Sequence, residues 1–142
     1  MVAGVDGAAR GGGVELALAC DVRVATPEAT FAEPGVAIGL FGAWGGTVRL
    51  PAVVGLGDAM DLSLSGRVID AEAAHRIGLV SRVVDRPGAV ARTLADNDAL
   101  AMERLKRRLR DRRPPGAQAD AEVAAFEALV AAHADELREF GE

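Results

Sequence analysis

The amino-acid sequence predicts an α/β fold that gives way to helices alone in its last third. Three observations carry that expectation. Short apolar runs at Met1–Val5, Val22–Ala25, Thr30–Glu33 and Leu79–Val84 end in turn residues and read as strands. Segments led by glycine or aspartate lie between them and read as helices. Beyond residue 85 every periodic segment has helical spacing. At 142 residues, 50% of them hydrophobic, the chain has the length of one domain with a single core.

The first run, Met1–Val5, reads as a buried strand entering the turn Asp6-Gly7. Gly11-Gly12-Gly13 follows. Glycines cannot serve a helix or strand interior, where each costs ~0.5–1 kcal/mol against alanine. Apolar residues at 14, 16, 17, 18 and 20 make the next segment a short, nearly all-buried helix. Glu15 is the one carboxylate in its first turn. Free N–H groups at a helix N-terminus beside a buried acid are the minimum kit for stabilising an oxyanion and moving a proton. An acid that caps its own helix is the other reading of Glu15.

Val22–Ala25 alternates like a strand and stops at Thr26-Pro27, and Thr30–Glu33 is a second extended piece closed by Pro34-Gly35. A second glycine-rich loop, Phe41–Thr47, leads into a helix carrying Val48, Leu50, Val53 and Val54, where Pro51 implies a kink or restart. Asp58 is a plausible cap for a helix ending at Gly66, and Asp70 for one ending before Gly78. Pro87 suits the first position of the next helix. Asp98 caps a basic helix that ends before Pro114. From about Ala117 to Phe140, Val123, Phe126, Val130, His133, Leu137 and Phe140 recur at intervals of three and four, an amphipathic helix packed on its own core or on a neighbouring subunit.

Composition narrows the function classes. One cysteine, Cys20, allows no internal disulfide and fits a reducing, cytoplasmic setting. No apolar run approaches the ~18 residues of a membrane span, and no signal-peptide pattern opens the chain. Net charge is −5, yet the stretch from Arg104 to Arg113 holds seven bases against Asp111, leaving −11 for everything else. That stretch is a solvated helix face or a seat for an anion. It lacks aromatics, which argues against nucleic acid. His75 and His133 have no metal-ligand spacing, no metal site is visible, and no nucleophile elbow supports the serines.

The chain resembles the enoyl-CoA hydratase/isomerase (crotonase) superfamily. The residues are Val2–Gly7, Gly11-Gly12-Gly13 with Glu15-Leu16-Ala17, Cys20-Asp21, Phe31 with Pro34, and Gly39-Leu40. The resemblance continues through Gly45-Gly46-Thr47, Arg49-Leu50-Pro51, Gly55, Ser65-Gly66, Asp70-Ala71 with Ala74, and Gly78–Val84. It covers residues 2–84 in order; from 85 onward only the helical character matches. It implies a partial crotonase-type spiral over 1–84 and a helical trimerisation region over 85–142. It also implies acyl-CoA as substrate, no cofactor beyond its coenzyme A, and a trimer or hexamer. The N-terminal half of the family's domain is expected to come from outside these residues, on a partner or a longer chain.

The resemblance places an oxyanion-hole N–H on Gly12, with Gly11 beside it, and the first catalytic glutamate on Glu15. The family's second glutamate corresponds to Gly35, so isomerase-type proton transfer is favoured over hydration. Glu33 is a substitute acid or an exposed strand residue. Ala43 and Trp44 replace a small pair in the glycine-rich loop, and Trp44 narrows the acyl pocket or belongs to a core or interface. Lys106 lies where members place cations near the CoA phosphates. Two further readings stay open: a truncated, inactive relative, and an oligomerisation or interaction module.

Overall fold

A computed structural model of the chain describes residues 1–139. It divides into two compact units, Met1–Arg92 and a second from Thr93 on. The first holds six short strands. Strands β1 (Val2–Val5), β3 (Val22–Ala25) and β6 (Arg82–Val83) form a parallel sheet in the order β1-β3-β6. Strands β2 (Ala8–Arg10), β4 (Thr30–Ala32) and β5 (Ile69–Asp70) form a second sheet, β4 parallel to β2 and antiparallel to β5. The chain alternates between the sheets: β1 then β2, helix α1 (Gly12–Ala19), β3 then β4. This is a spiral of strand-strand-helix turns.

Strand β2 has no counterpart in the sequence reading, because Ala8-Ala9-Arg10 lacks the β-branched and aromatic residues that mark strands. Its place is set by Arg10, which donates from Nη1 to the Thr30 carbonyl (2.8 Å) and from Nη2 to Thr30 Oγ1 (2.9 Å). Strand β1 is half-buried rather than buried. Gly4 in it faces Pro87, whose Cβ would stand 2.7 Å from any side chain there. Cys20 is also only half-buried, at the end of α1.

Helix α2 (Gly46–Val54) continues through Pro51 as one element, so the chain does not restart there. Proline forfeits one helix hydrogen bond; buried Leu50 and Val54 hold this short helix down. Helix α3 (Leu56–Ser65) is capped by Gly55, so Asp58 lies inside its first turn instead of capping it. It ends at Gly66 in the left-handed region (φ 62°). Asp70 does cap α4 (Ala71–Arg76), accepting the Ala73 N–H at 2.7 Å. Helix α5 (Pro87–Ala95) starts at Pro87. A core that includes Val14, Leu18, Ala25, Phe31, Leu50, Leu62, Ala74 and Leu79 binds both sheets to helices α1 to α4.

In the second unit Asp98 caps α6 (Ala99–Arg110) through the Ala101 N–H at 2.7 Å. Helix α7 (Pro115–Ala132) stops at His133 and α8 (Ala134–Glu139) follows, so the single long helix expected over 117–140 is two. His133 lies 3.4 Å from Asp98. The seam residues Val123, Phe126 and Leu137 are exposed, and Phe140 lies outside the described residues. Among the described residues no helix is long and apolar enough to cross a membrane.

Candidate active site

The site is assembled where β4 ends beside the start of α1. Gly11, at φ 47°, donates its N–H to the Ala32 carbonyl (3.0 Å), and its own carbonyl accepts the Glu15 N–H (3.1 Å). That pairing places Glu33, the residue after Ala32, against the glycine-led turn. Positive φ explains glycine at 11. Gly12 then opens α1, so its N–H has no carbonyl within the helix to reach.

Glu15 is only 3% exposed. Its Oε1 accepts the backbone N–H of Trp44 at 3.0 Å and of Gly46 at 2.8 Å. Gly46 is the first residue of α2, so the carboxylate sits at the positive end of a second helix. Glu15 therefore does cap a helix, but α2 rather than its own. Hydrogen bonds to a charged group contribute about 1.5–3 kcal/mol each, which offsets the cost of burying the acid.

Two glycines make room for it. A Cβ at Gly42 would overlap the Glu15 carboxyl group, and one at Gly46 would lie 2.8 Å from Oε1. Neither close approach was legible in the sequence. The Gly45-Gly46 pair ahead of a helix was the available signal that an anion could dock there.

Trp44 lies with its ring on Gly12: a Cβ on Gly12 would stand 2.9 Å from Cζ3. The indole is 63% exposed, which excludes a core tryptophan. Its carbonyl accepts from Arg49 Nη1 at 2.6 Å, fixing the loop from the other side. Ala43 is exposed beside it.

Glu15 and Glu33 line one cavity of about 60 Å³ with Gly35, Leu40, Phe41, Gly42, Thr47 and Ser63 among its walls. Glu33 is half-buried, not the exposed strand acid that was the alternative reading, and its Oε1 has no hydrogen-bond partner. Desolvation, and secondarily the Glu15 charge, raise its carboxyl to about 7. Gly35 lies in the 3-10 turn Pro34–Ile38, where a Cβ would meet the Leu40 carbonyl at 2.8 Å. A glutamate at 35 would need this turn to move.

Gly11, Gly12, Glu15, Glu33 and Trp44 are thus gathered in the first unit. Lys106 lies exposed on α6 in the second. There Arg104, Arg107, Arg108 and Arg113 border a cleft of about 440 Å³ between α6 and α7. Asp111 offsets part of that charge, pairing with Arg108 (3.2 Å) and Arg113 (2.8 Å). Among the described residues no group of three His, Cys, Asp or Glu could hold a metal ion.

A spiral of strand-strand-helix turns carrying a buried carboxylate beside a glycine-led helix start defines a class of α/β proteins. The comparisons with known proteins specify it. The model of the enoyl-CoA hydratase/isomerase family matches residues 1–135, and the chain belongs to that family. A short-chain-enoyl-CoA hydratase of Clostridioides difficile is 41% identical over 112 residues, 75% of this chain and 72% of that protein. A crotonyl-CoA hydratase of Syntrophomonas wolfei is 49% identical over 84 residues, 59% of this chain and 32% of that one. An enoyl-CoA hydratase of Thermoplasma volcanium superposes with a TM-score of 0.84 at 31% identity, covering 99% of this chain and 58% of its own. The chain spans about a third of the length of several relatives and just over half that of the solved structures. The fold is the crotonase fold of these neighbours.

Proposed function

We propose that the chain acts on acyl-CoA thioesters by proton transfer through an enolate, isomerising them in preference to adding water. The observation that carries this reading is Glu15, buried and fixed by the Trp44 and Gly46 N–H groups one turn into α1. Both bonds fall on Oε1, leaving Oε2 to take a proton from the α- or γ-carbon. The Gly12 N–H, at the positive end of α1, faces the developing enolate oxygen and stabilises it. Gly11 lets the chain turn closely past the thioester, and the Trp44 ring limits the space over Gly12.

The family's second acid, which would help hold a water for hydration, has no counterpart at Gly35, and Glu33, the other acid lining this cavity, enters it from two residues earlier. Moving a proton between two carbons needs a base, an oxyanion site and a proton source, but no held water. The rest of the coenzyme A pocket, and the other oxyanion donor, would come from polypeptide equivalent to the remaining half of the relatives. Lys106 is proposed as a phosphate contact, with no cofactor beyond the substrate's coenzyme A. The exposed Val123, Phe126 and Val130 of α7 favour assembly with further copies, as a trimer or hexamer, in a cytoplasmic setting.

The test supplies 3-enoyl-CoA and crotonyl-CoA to the chain, alone and with the N-terminal half of a relative added. The expected result is isomerisation faster than hydration, with both lost in Glu15→Gln. Hydration as the faster reaction, or full activity in Glu15→Gln, would overturn the reading.

A further inference from the structure

Two carboxyl groups share the 60 Å³ cavity, and the chain treats them oppositely. Glu15 receives two backbone N–H donors, from Trp44 and from Gly46 at the start of α2. Glu33 receives none: its Oε1 is buried without a hydrogen-bond partner. An ionised carboxylate in that position would leave its Oε1 without a donor beside a second acid, whereas a protonated carboxyl carries its own donor into the cavity.

The geometry points to Glu33 as the proton donor that completes the Glu15 site, a neutral acid facing a charged base across one cavity. This rests on the proton-transfer reading above and deepens it. Its raised carboxyl, near 7, agrees with the same division. The local structure fixes the arrangement from both sides. The Gly11 N–H to Ala32 carbonyl bond holds the end of β4 at the start of α1. Gly66, at φ 62°, packs beside the backbone of Glu33 and Pro34. Gly35, closed against the Leu40 carbonyl, cannot bring an acid into the cavity without moving the turn.

In the step this implies, ionised Glu15 removes a proton from one carbon of the thioester, and the C–H electron pair enters the enolate. The Glu33 O–H bond then breaks and its proton forms the new C–H bond at the other carbon. Glu15 ends protonated and Glu33 ionised. Return of the proton from Glu15 to Glu33 across the cavity restores both, so atoms and charge balance without a further reactant.

The test has two readouts, one independent of turnover. In carbon-13 labelled chain without substrate, the Glu33 carboxyl resonance should titrate about 2–3 pH units above an ordinary glutamate and move only part of the way back in Glu15→Gln, because burial is the larger cause of the shift. Titration in the ordinary range would overturn the proposal. In the turnover assay, Glu33→Gln should lower isomerisation by about 10²–10⁴-fold and remove the fall in rate above neutral pH. Glu33→Asp should restore part of the rate. Activity lost in Glu15→Gln but unchanged in Glu33→Gln would overturn the donor role and leave the parent reading intact. A wild-type chain without turnover in either preparation would overturn that reading and the donor role with it.

Discussion

Gly46 donates its backbone N–H to Glu15 Oε1 across 2.8 Å, and that bond ties the acid of the first helix to the start of the second. The acid is positioned by two helices, and Gly42 in the loop before α2 and Gly46 at its first position must stay free of side chains.

Removing the Glu15 side chain should therefore cost stability as well as chemistry. Glu15→Ala leaves the Trp44 and Gly46 N–H groups without their acceptor and opens a void, an expected loss of about 2–4 kcal/mol. Glu15→Gln keeps an acceptor oxygen and should cost about 1 kcal/mol or less. Urea unfolding followed by circular dichroism measures both.

Gly42→Ala places a methyl group on the Glu15 carboxylate and should destabilise by about 1–3 kcal/mol. The penalty should largely vanish when Glu15 is already alanine. A double-mutant cycle reads this coupling directly, and additive penalties would mean that the two residues do not touch.

The folded state keeps a proton on Glu33 that the unfolded chain releases above its ordinary value of 4.5. Between 4.5 and about 7 the folded state binds more protons, so unfolding free energy falls as pH rises through that window. The contribution is fully present at lower pH and gone above neutrality. After allowance for partial solvent screening, wild type should lose about 1–2 kcal/mol more than Glu33→Gln between about pH 5 and about pH 8. Equal losses in the two proteins would contradict the raised carboxyl.

Trp44 is the only tryptophan, and its ring lies on Gly12. A thioester whose oxygen reaches the Gly12 N–H must meet that ring. Crotonyl-CoA should therefore change Trp44 fluorescence in a saturable way, whereas free coenzyme A should produce a smaller change. Identical responses to the two would remove Trp44 from the acyl end of the site.

Local chemistry was legible in the sequence, while packing was not. Asp70 and Asp98 announce their helices because a cap is settled within four residues, and both accept the expected N–H. Asp58 offers the same chemistry, but Gly55 lies at the real turn and takes the position. Gly11, Gly12 and Glu15 are legible as one cluster because they adjoin in the chain at the start of α1. What the acid binds is not legible, since its partners lie 29 and 31 residues away. The two readings of Glu33, a substitute acid and an exposed strand acid, stay open in the sequence for the same reason. It lies one residue beyond β4, and the burial of its Oε1 is a tertiary effect that no alternation pattern contains. His133 continues the helical spacing of the seam yet ends α7, where it approaches Asp98.

The central claim is that Glu15 is the base. The measurement that addresses it most directly is solvent-deuterium incorporation at the α-carbon of an acyl-CoA, followed by mass spectrometry with wild type and Glu15→Gln. Wild type should incorporate deuterium, and Glu15→Gln, with its fold verified by circular dichroism, should be slower by about 10²–10⁴-fold. Incorporation at the wild-type rate in Glu15→Gln would contradict the account.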